Sequence, residues 1–265
     1  MTGEVTAVDG GFHLRGRYPF VTGCHNATWL FAMAALPREE GGALPMMLFV
    51  PRDSVRIEDN WDTLGMRGTG SNDVSFDVHV PAERTSLLSD PPICPEAKLA
   101  KLADGVWYVS LVASAVLIGT ARRAQEEVER LLSADKKLFL QRSGVRQSGV
   151  AQRGWAECGA QLESAHHYAR HLLDKLWLGP DEGRRFDIGA RAELRAGLAF
   201  AAAQAAAVVD QLGDLATSDA MWRGSALERC LRDARMLRMH ASVYSSVLER
   251  AGKVQLGVTE VDHLL

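Results

Sequence analysis

A threonine, a histidine and a glycine-punctuated hydroxyl run are the residues of this chain whose types and spacing could do chemistry. Thr22 follows Phe20-Val21 where a strand is expected to end; its hydroxyl can satisfy local backbone or hold a ligand. His240 carries an imidazole that exchanges a proton near neutral pH. On a helix, Arg229, Asp233, Met236 and His240, spaced four, three and four apart, would share one stripe. His240 therefore reads either as a reacting group or as a surface histidine beside an Arg–Asp pair. Arg67-Gly68-Thr69-Gly70-Ser71 places small residues and hydroxyls where a backbone approaches something closely. That partner is a cofactor, a substrate or the run's own tight turn. His166, His167 and His171 include an i, i+4 pair, but no carboxylate or cysteine is expected to complete a site. They read as a solvated or interface face, and no metal is assigned.

Composition narrows the classes. The 265 residues can bury a sizeable core in one or two domains. A net charge of −3 and an aromatic content of 7% argue against a nucleic-acid surface. Cys24, Cys94, Cys158 and Cys230 are too sparse for a disulfide framework and lack metal-finger spacing, so reduced thiols in a cytoplasm are expected. The longest apolar run considered as a membrane span, Val106–Thr120, is interrupted by Ser110 and Ser114 and ends in Arg122-Arg123, so no membrane partner is expected. Gly68-Thr69-Gly70 misses the dinucleotide fingerprint: Asp73 stands where its third glycine belongs, and a strand follows. The chain has no P-loop and no nucleophile elbow.

The elements that must position these residues fall into two halves. In residues 1–90, Val74, Phe76, Val78 and Val80 alternate with polar residues, the period of a half-buried strand. Gly10-Gly11 predicts a hairpin between Val5–Val8 and Phe12–Arg17, and Ala27–Leu36 and Met46–Val50 predict further strands. Residues 91–104, with Pro91-Pro92 and Pro95, form the expected linker. Residues 105–265 predict a helical bundle with long helices over about 105–134, 147–177, 185–213 and 225–251. The small apolar run Ala199–Val209 marks the third helix as buried on most sides. The fold class is thus α+β: a small antiparallel, barrel-like β domain followed by a C-terminal four-helix bundle.

Three stretches in this order resemble the acyl-CoA dehydrogenase superfamily, and within it the flavin-dependent monooxygenases that take reduced flavin from a separate reductase. They are Asp9–Cys24, Trp61–Ser71 with Val80-Pro81, and Ala226–Arg235 followed by His240. The resemblance covers essentially the whole chain, except that members begin with a helical domain and a first β strand that precede Met1 here. It implies an acyl-CoA dehydrogenase-like fold without its N-terminal helical domain.

For the site, the resemblance implies that Thr22 hydrogen-bonds a flavin ring while Phe20 packs on it. Gly23, Arg232 and Asp233 join them as cofactor contacts, and Thr69, Ser71 and Met236 face the substrate. His240 points at the flavin–substrate junction, and Ala241 replaces the glutamate base of many dehydrogenases, which counts against dehydrogenation. The implied cofactor is reduced FMN or FAD, held transiently or not at all. The implied reaction is hydroxylation of an aromatic or polyketide-type small molecule. The implied partners are a flavin reductase, further copies in a homodimer or homotetramer, and a chain supplying the absent wall of the cavity. The competing reading is a repurposed scaffold: a cofactor-independent cyclase or other non-redox enzyme, or a partner subunit of a split flavoenzyme.

Overall fold

The structure, a computed structural model, describes residues 3–38, 42–87, 106–134, 144–178 and 186–259. The chain divides into two compact units, Met1–Ile93 and Cys94–Leu265. The expected linker, and Cys94 with it, lies outside the described residues.

Among the described residues the first unit holds seven strands: β1 (Gly3–Val8), β2 (Gly11–Tyr18), β3 (Trp29–Pro37), β4 (Ala43–Pro51), β5 (Arg56–Ile57), β6 (Val74–Pro81) and β7 (Thr85–Leu87). They form two antiparallel sheets, ordered β1-β2-β6-β5 and β3-β4-β7. The sheets do not close into the barrel-like shape expected from the sequence. Alternation decides their faces. In β3, Leu30, Ala32 and Ala34 point inward while Trp29, Phe31 and Met33 point outward. The inward set joins Val5, Leu14, Met46, Leu48, Val50, Val74, Phe76 and Val80 in one core. The β1–β2 hairpin turns at Gly10, whose φ of 73° lies in the left-handed region.

The second unit holds five described helices: α1 (Val106–Ser133), α2 (Gly149–Trp177), α3 (Ile188–Ala216), α4 (Ala226–Leu237) and α5 (Ser245–Gln255). Three are the long helices expected. The expected fourth is divided in two, because the chain turns between Arg238 and Tyr244. Helix α3 starts at Asp187, whose carboxylate accepts from the Ala190 N–H at 2.7 Å. It packs against each of the other four helices. Its alanines, Ala199, Ala201, Ala202, Ala205 and Ala206, are buried with Val208, Val209 and Leu212. Together with the turn that follows, this helix (Ile188–Met221), and not Val106–Thr120, is the described stretch long and apolar enough to cross a membrane. With 67% of its most apolar window buried inside the unit, it is the core helix of the bundle. Cys24, Cys158 and Cys230 are free, buried thiols. Burial pushes the Cys158 and Cys230 thiols up.

Gly11 fixes how closely β2 approaches β6. A Cβ there would stand 2.3 Å from the Val80 carbonyl oxygen and 2.9 Å from Pro81 Cα, both backbone atoms that cannot swing away. Gly11→Ala is expected to cost the β unit roughly 1–3 kcal/mol, read as a lower denaturation midpoint. An unchanged midpoint would show that the strands part without penalty.

Candidate functional site

In the β unit, the residues singled out from the sequence meet where two loops interlock. Strand β2 ends at Tyr18, so Thr22 lies in the turn beyond it rather than at a strand end. Phe20 takes a left-handed backbone, φ 60°, and its ring is 70% exposed, edge-on to Trp61 at 6.0 Å between centroids. The second loop, Met66–Asn72, encloses a short 3₁₀ turn, Arg67–Thr69, flanked by left-handed Met66 (φ 53°) and Gly70 (φ 50°). Two backbone bonds lock the loops together: the Val21 N–H donates to Asn72 O at 3.0 Å, and the Gly23 N–H to Thr69 O at 2.9 Å.

Side chains extend the lock. Asn72, 2% exposed, accepts from the Trp61 N–H at 2.7 Å, and Trp61 Nε1 donates to Met66 O at 3.0 Å. Thr69 Oγ1 donates to Met66 O at 2.7 Å. Ser71 Oγ, buried, lies 2.8 Å from Thr69 Oγ1 and 3.0 Å from Thr22 Oγ1. The structure thus brings Thr22, Thr69 and Ser71 into one chain of hydroxyls, with Thr22 at its exposed end. A Cβ added at Gly23 or Gly68 would meet nothing within 4 Å, so their backbone lies open to an approaching surface.

In the helical unit, α4 opens with an N-cap: Ser225 Oγ accepts from the Glu228 N–H at 3.0 Å. Arg232 is held by Glu228 through two hydrogen bonds, 2.5 and 3.0 Å, which lower the Glu228 carboxyl from its usual range. That pairing braces the helix. Asp233 and Met236 lie half-buried further along α4. His240 is not on this helix, as the expected stripe required, but in the turn after Leu237. The Ser242 N–H donates to His240 Nδ1 at 3.2 Å, with Ser242 Oγ at 2.7 Å from the same nitrogen. Nδ1 is therefore the bare nitrogen of the neutral ring, which leaves the proton on Nε2. The turn itself is anchored to α1, because Ser110 Oγ donates to Ser242 O at 2.6 Å.

One expectation is corrected. His166 and His167 do have a carboxylate neighbour: Glu163 lies 3.8 Å from His166 Nδ1 and 3.6 Å from His167 Nε2. The three sit on one turn of α2, a spacing the sequence displayed. Arg122 occupies the cluster, at 2.9 Å from His166 Nδ1 and 3.5 Å from Glu163, which makes it a solvated ion-pair network.

Residues 111–245, just over half of the chain, match the family described as acyl-CoA dehydrogenase, C-terminal domain. The chain belongs to the acyl-CoA dehydrogenase family. It is 29% identical over 263 residues to an indole-3-acetate monooxygenase of Acinetobacter baumannii, covering 96% of this chain and 65% of that protein. Over 86 residues, 32% of this chain and 21% of the relative, it is 40% identical to the oxygenase component of an FADH2-dependent resorcinol hydroxylase from Rhizobium. The solved structure of XiaF from Streptomyces, in complex with FADH2 and glycerol, superposes with a TM-score of 0.88 at 19% identity, over 99% of this chain and 68% of that one. The chain thus spans about two thirds of the length of its full-length matches.

The tautomer at His240 has a measurable consequence. Partial burial of the ring lowers its pKa from the ordinary 6.5. Protonation at Nδ1 breaks the Ser242 N–H bond, so the folded state favours the neutral ring. This contribution is complete above the unfolded pKa of about 6.5 and is lost as pH falls through the lower folded value. Thermal midpoints followed from about pH 7.5 down to about pH 5 are expected to drop less steeply in His240→Ala than in the wild type. Parallel curves would mean that the ring is not coupled to the turn.

Proposed function

We propose that this chain forms the β and helical units of the oxygenase component of a flavin-dependent monooxygenase. It hydroxylates an aromatic or polyketide-type small molecule, using reduced FMN or FAD delivered by a separate reductase. The observation that carries this reading is the interlocked loop pair of the β unit. It presents an exposed aromatic ring at Phe20, the open hydroxyl of Thr22 and uncovered glycine backbone at Gly23 and Gly68, held rigid by strained, fully bonded loops. A flat heteroaromatic ring with polar edges fits such a surface. The named relatives support the redox reading over a non-redox scaffold, and the oxygenase-component relative supports a reductase partner.

Reduced flavin, when bound, supplies the electrons that activate dioxygen. The chain's own residues do the rest. Phe20 and Gly23 pack the ring, and Thr22 bonds its polar edge. Thr69 and Ser71 hold Thr22 in place rather than touching substrate directly. Arg232, committed to Glu228, steadies α4, with Asp233 and Met236 on the same helix as site contacts. His240 acts through Nε2–H: a neutral donor that polarises an oxygen at the reacting centre, not a base awaiting a proton.

Self-association is part of this reading. Tyr108, Val109, Val112 and Val116 are exposed within one 100° arc of α1, an apolar stripe that suits a homodimer or homotetramer interface. Val112→Glu with Val116→Glu is expected to shift the mass measured by light scattering to that of the monomer. An unaltered assembly would remove this stripe from the interface.

The functional test supplies reductase, nicotinamide cofactor and FMN or FAD, and follows hydroxylated product against hydrogen peroxide over a panel of phenols and indoles. Product is expected only with reductase or pre-reduced flavin present. His240→Ala is expected to lower product formation about tenfold or more, with peroxide rising in its place, and His240→Asn to keep part of it. Substrate turnover that needs no flavin would overturn the proposal.

A further inference from the structure

We propose that Ser110 is a positioning residue for His240: by holding the Ser242 carbonyl it keeps the Ser242 N–H on the ring, and so fixes His240 as an Nε2–H donor. This rests on the reading above, in which His240 serves the reacting centre.

Ser242 is gripped by side chains at both ends of its backbone. Its carbonyl accepts from Ser110 Oγ at 2.6 Å, and its N–H donates to His240 Nδ1 at 3.2 Å. The Ser242 hydroxyl, 2.7 Å from the same nitrogen, does not choose a tautomer. A hydroxyl donates to a bare nitrogen or accepts from a protonated one. The amide has no such freedom: an N–H only donates, so it tolerates only a ring whose Nδ1 is bare. Whatever aims the amide therefore sets the ring.

Two bonds aim it. The peptide between Ser242 and Val243 is held at one end by the Val243 N–H on His240 O, at 3.0 Å, and at the other by Ser110. The first is local and would travel with the turn. The second comes from another helix, 132 positions away, and ties the turn to the bundle. Its root is firm, because Ser110 O accepts in turn from Ser114 Oγ at 2.6 Å, and that hydroxyl lies 2.9 Å from Leu198 O on the core helix α3. Ser110 is fully buried on a face of α1 otherwise made of Ala113, Leu117 and Ala121. A hydroxyl there costs burial energy unless it is paired, and its pairing goes to the turn. The consequence is one of sign. An Nε2–H attracts an oxygen at the reacting centre, whereas the other tautomer would face that oxygen with a lone pair.

The experiment uses the whole protein labelled with ¹⁵N-histidine, without flavin, at neutral pH. Imidazole ¹⁵N shifts report the tautomer, and the His240 signals are those lost in His240→Asn. Wild type is expected to show a bare Nδ1 and a protonated Nε2. Ser110→Ala should shift both nitrogens toward a mixture of tautomers. With reduced flavin it should also lower kcat for product about threefold to tenfold, with peroxide in its place and the substrate KM little changed. Ser110→Cys, close in shape but a far weaker donor, should change the ring in the same direction. Ser114→Ala removes a neighbouring buried hydroxyl that does not touch the turn, and should leave the shifts and product as in the wild type. An Nδ1–H ring in the wild type would overturn the proposal without any variant. So would wild-type shifts in Ser110→Ala and Ser110→Cys, or equal changes in Ser110→Ala and Ser114→Ala. A wild type that forms no product with reduced flavin would overturn the function proposed above, while the ring shifts would still decide whether Ser110 sets the tautomer.

Discussion

Two backbone hydrogen bonds, Val21 N–H to Asn72 O and Gly23 N–H to Thr69 O, hold together what the β unit brings to chemistry. They join loops that would not otherwise keep their shape. Phe20 and Met66 sit in the left-handed region without being glycine, a cost on the order of 1–3 kcal/mol each. The surrounding bonds offset that strain: Asn72 to Trp61, Trp61 to Met66 and the three hydroxyls in series. Strain of this kind persists only where the neighbourhood over-determines it. Its concentration beside an exposed aromatic ring and an exposed hydroxyl is what separates these loops from ordinary connections.

The helical unit solves a different problem. Its reactive-type residue stands on a turn, and a turn must borrow its rigidity. The Ser110 hydroxyl provides it from α1, and Ser114 one turn later bonds both Ser110 O at 2.6 Å and Leu198 O at 2.9 Å. Both serines are fully buried, yet neither hydroxyl is left unpaired. The polar interruptions that argue against a membrane span in Val106–Thr120 are the same groups that tie α1 to α3 and to the His240 turn.

Much of this was legible in the residues. Period-two alternation located β6, the Gly10-Gly11 turn located the β1–β2 hairpin, and the alanine run foretold the core position of α3. Strands β5 and β7, of two and three residues, carry too few positions to show a period. The break after Leu237 was hidden for another reason. No glycine or proline marks it, and Ala241 to Val247 could continue a helix. The turn is set by a local bond from Ser242 to His240 Nδ1 and by a tertiary one from Ser110, and the second leaves no local pattern. At the site, Phe20, Thr22, Thr69 and Ser71 could each be singled out by type. That Thr22 and Ser71, 49 positions apart, share a proton depends on the β2–β6 register, and no local pattern encodes it. Glu163 is the opposite case: it precedes His166 and His167 at helical spacing and was in plain view.

The sulfur atoms of the molecule are unevenly protected. Cys24, Cys158 and Cys230 are buried, and burial raises the pKa of Cys158 and Cys230, so at those two the thiolate that an oxidant attacks is scarce. Met221 and Met239 are 78% and 62% exposed. Oxidation by peroxide then begins at thioether rather than thiol, and Met239 is the immediate neighbour of His240. Ageing of the protein would be written first as sulfoxide at these two positions in a peptide map, and methionine sulfoxide reductase, not a thiol reductant, would be the agent that reverses it.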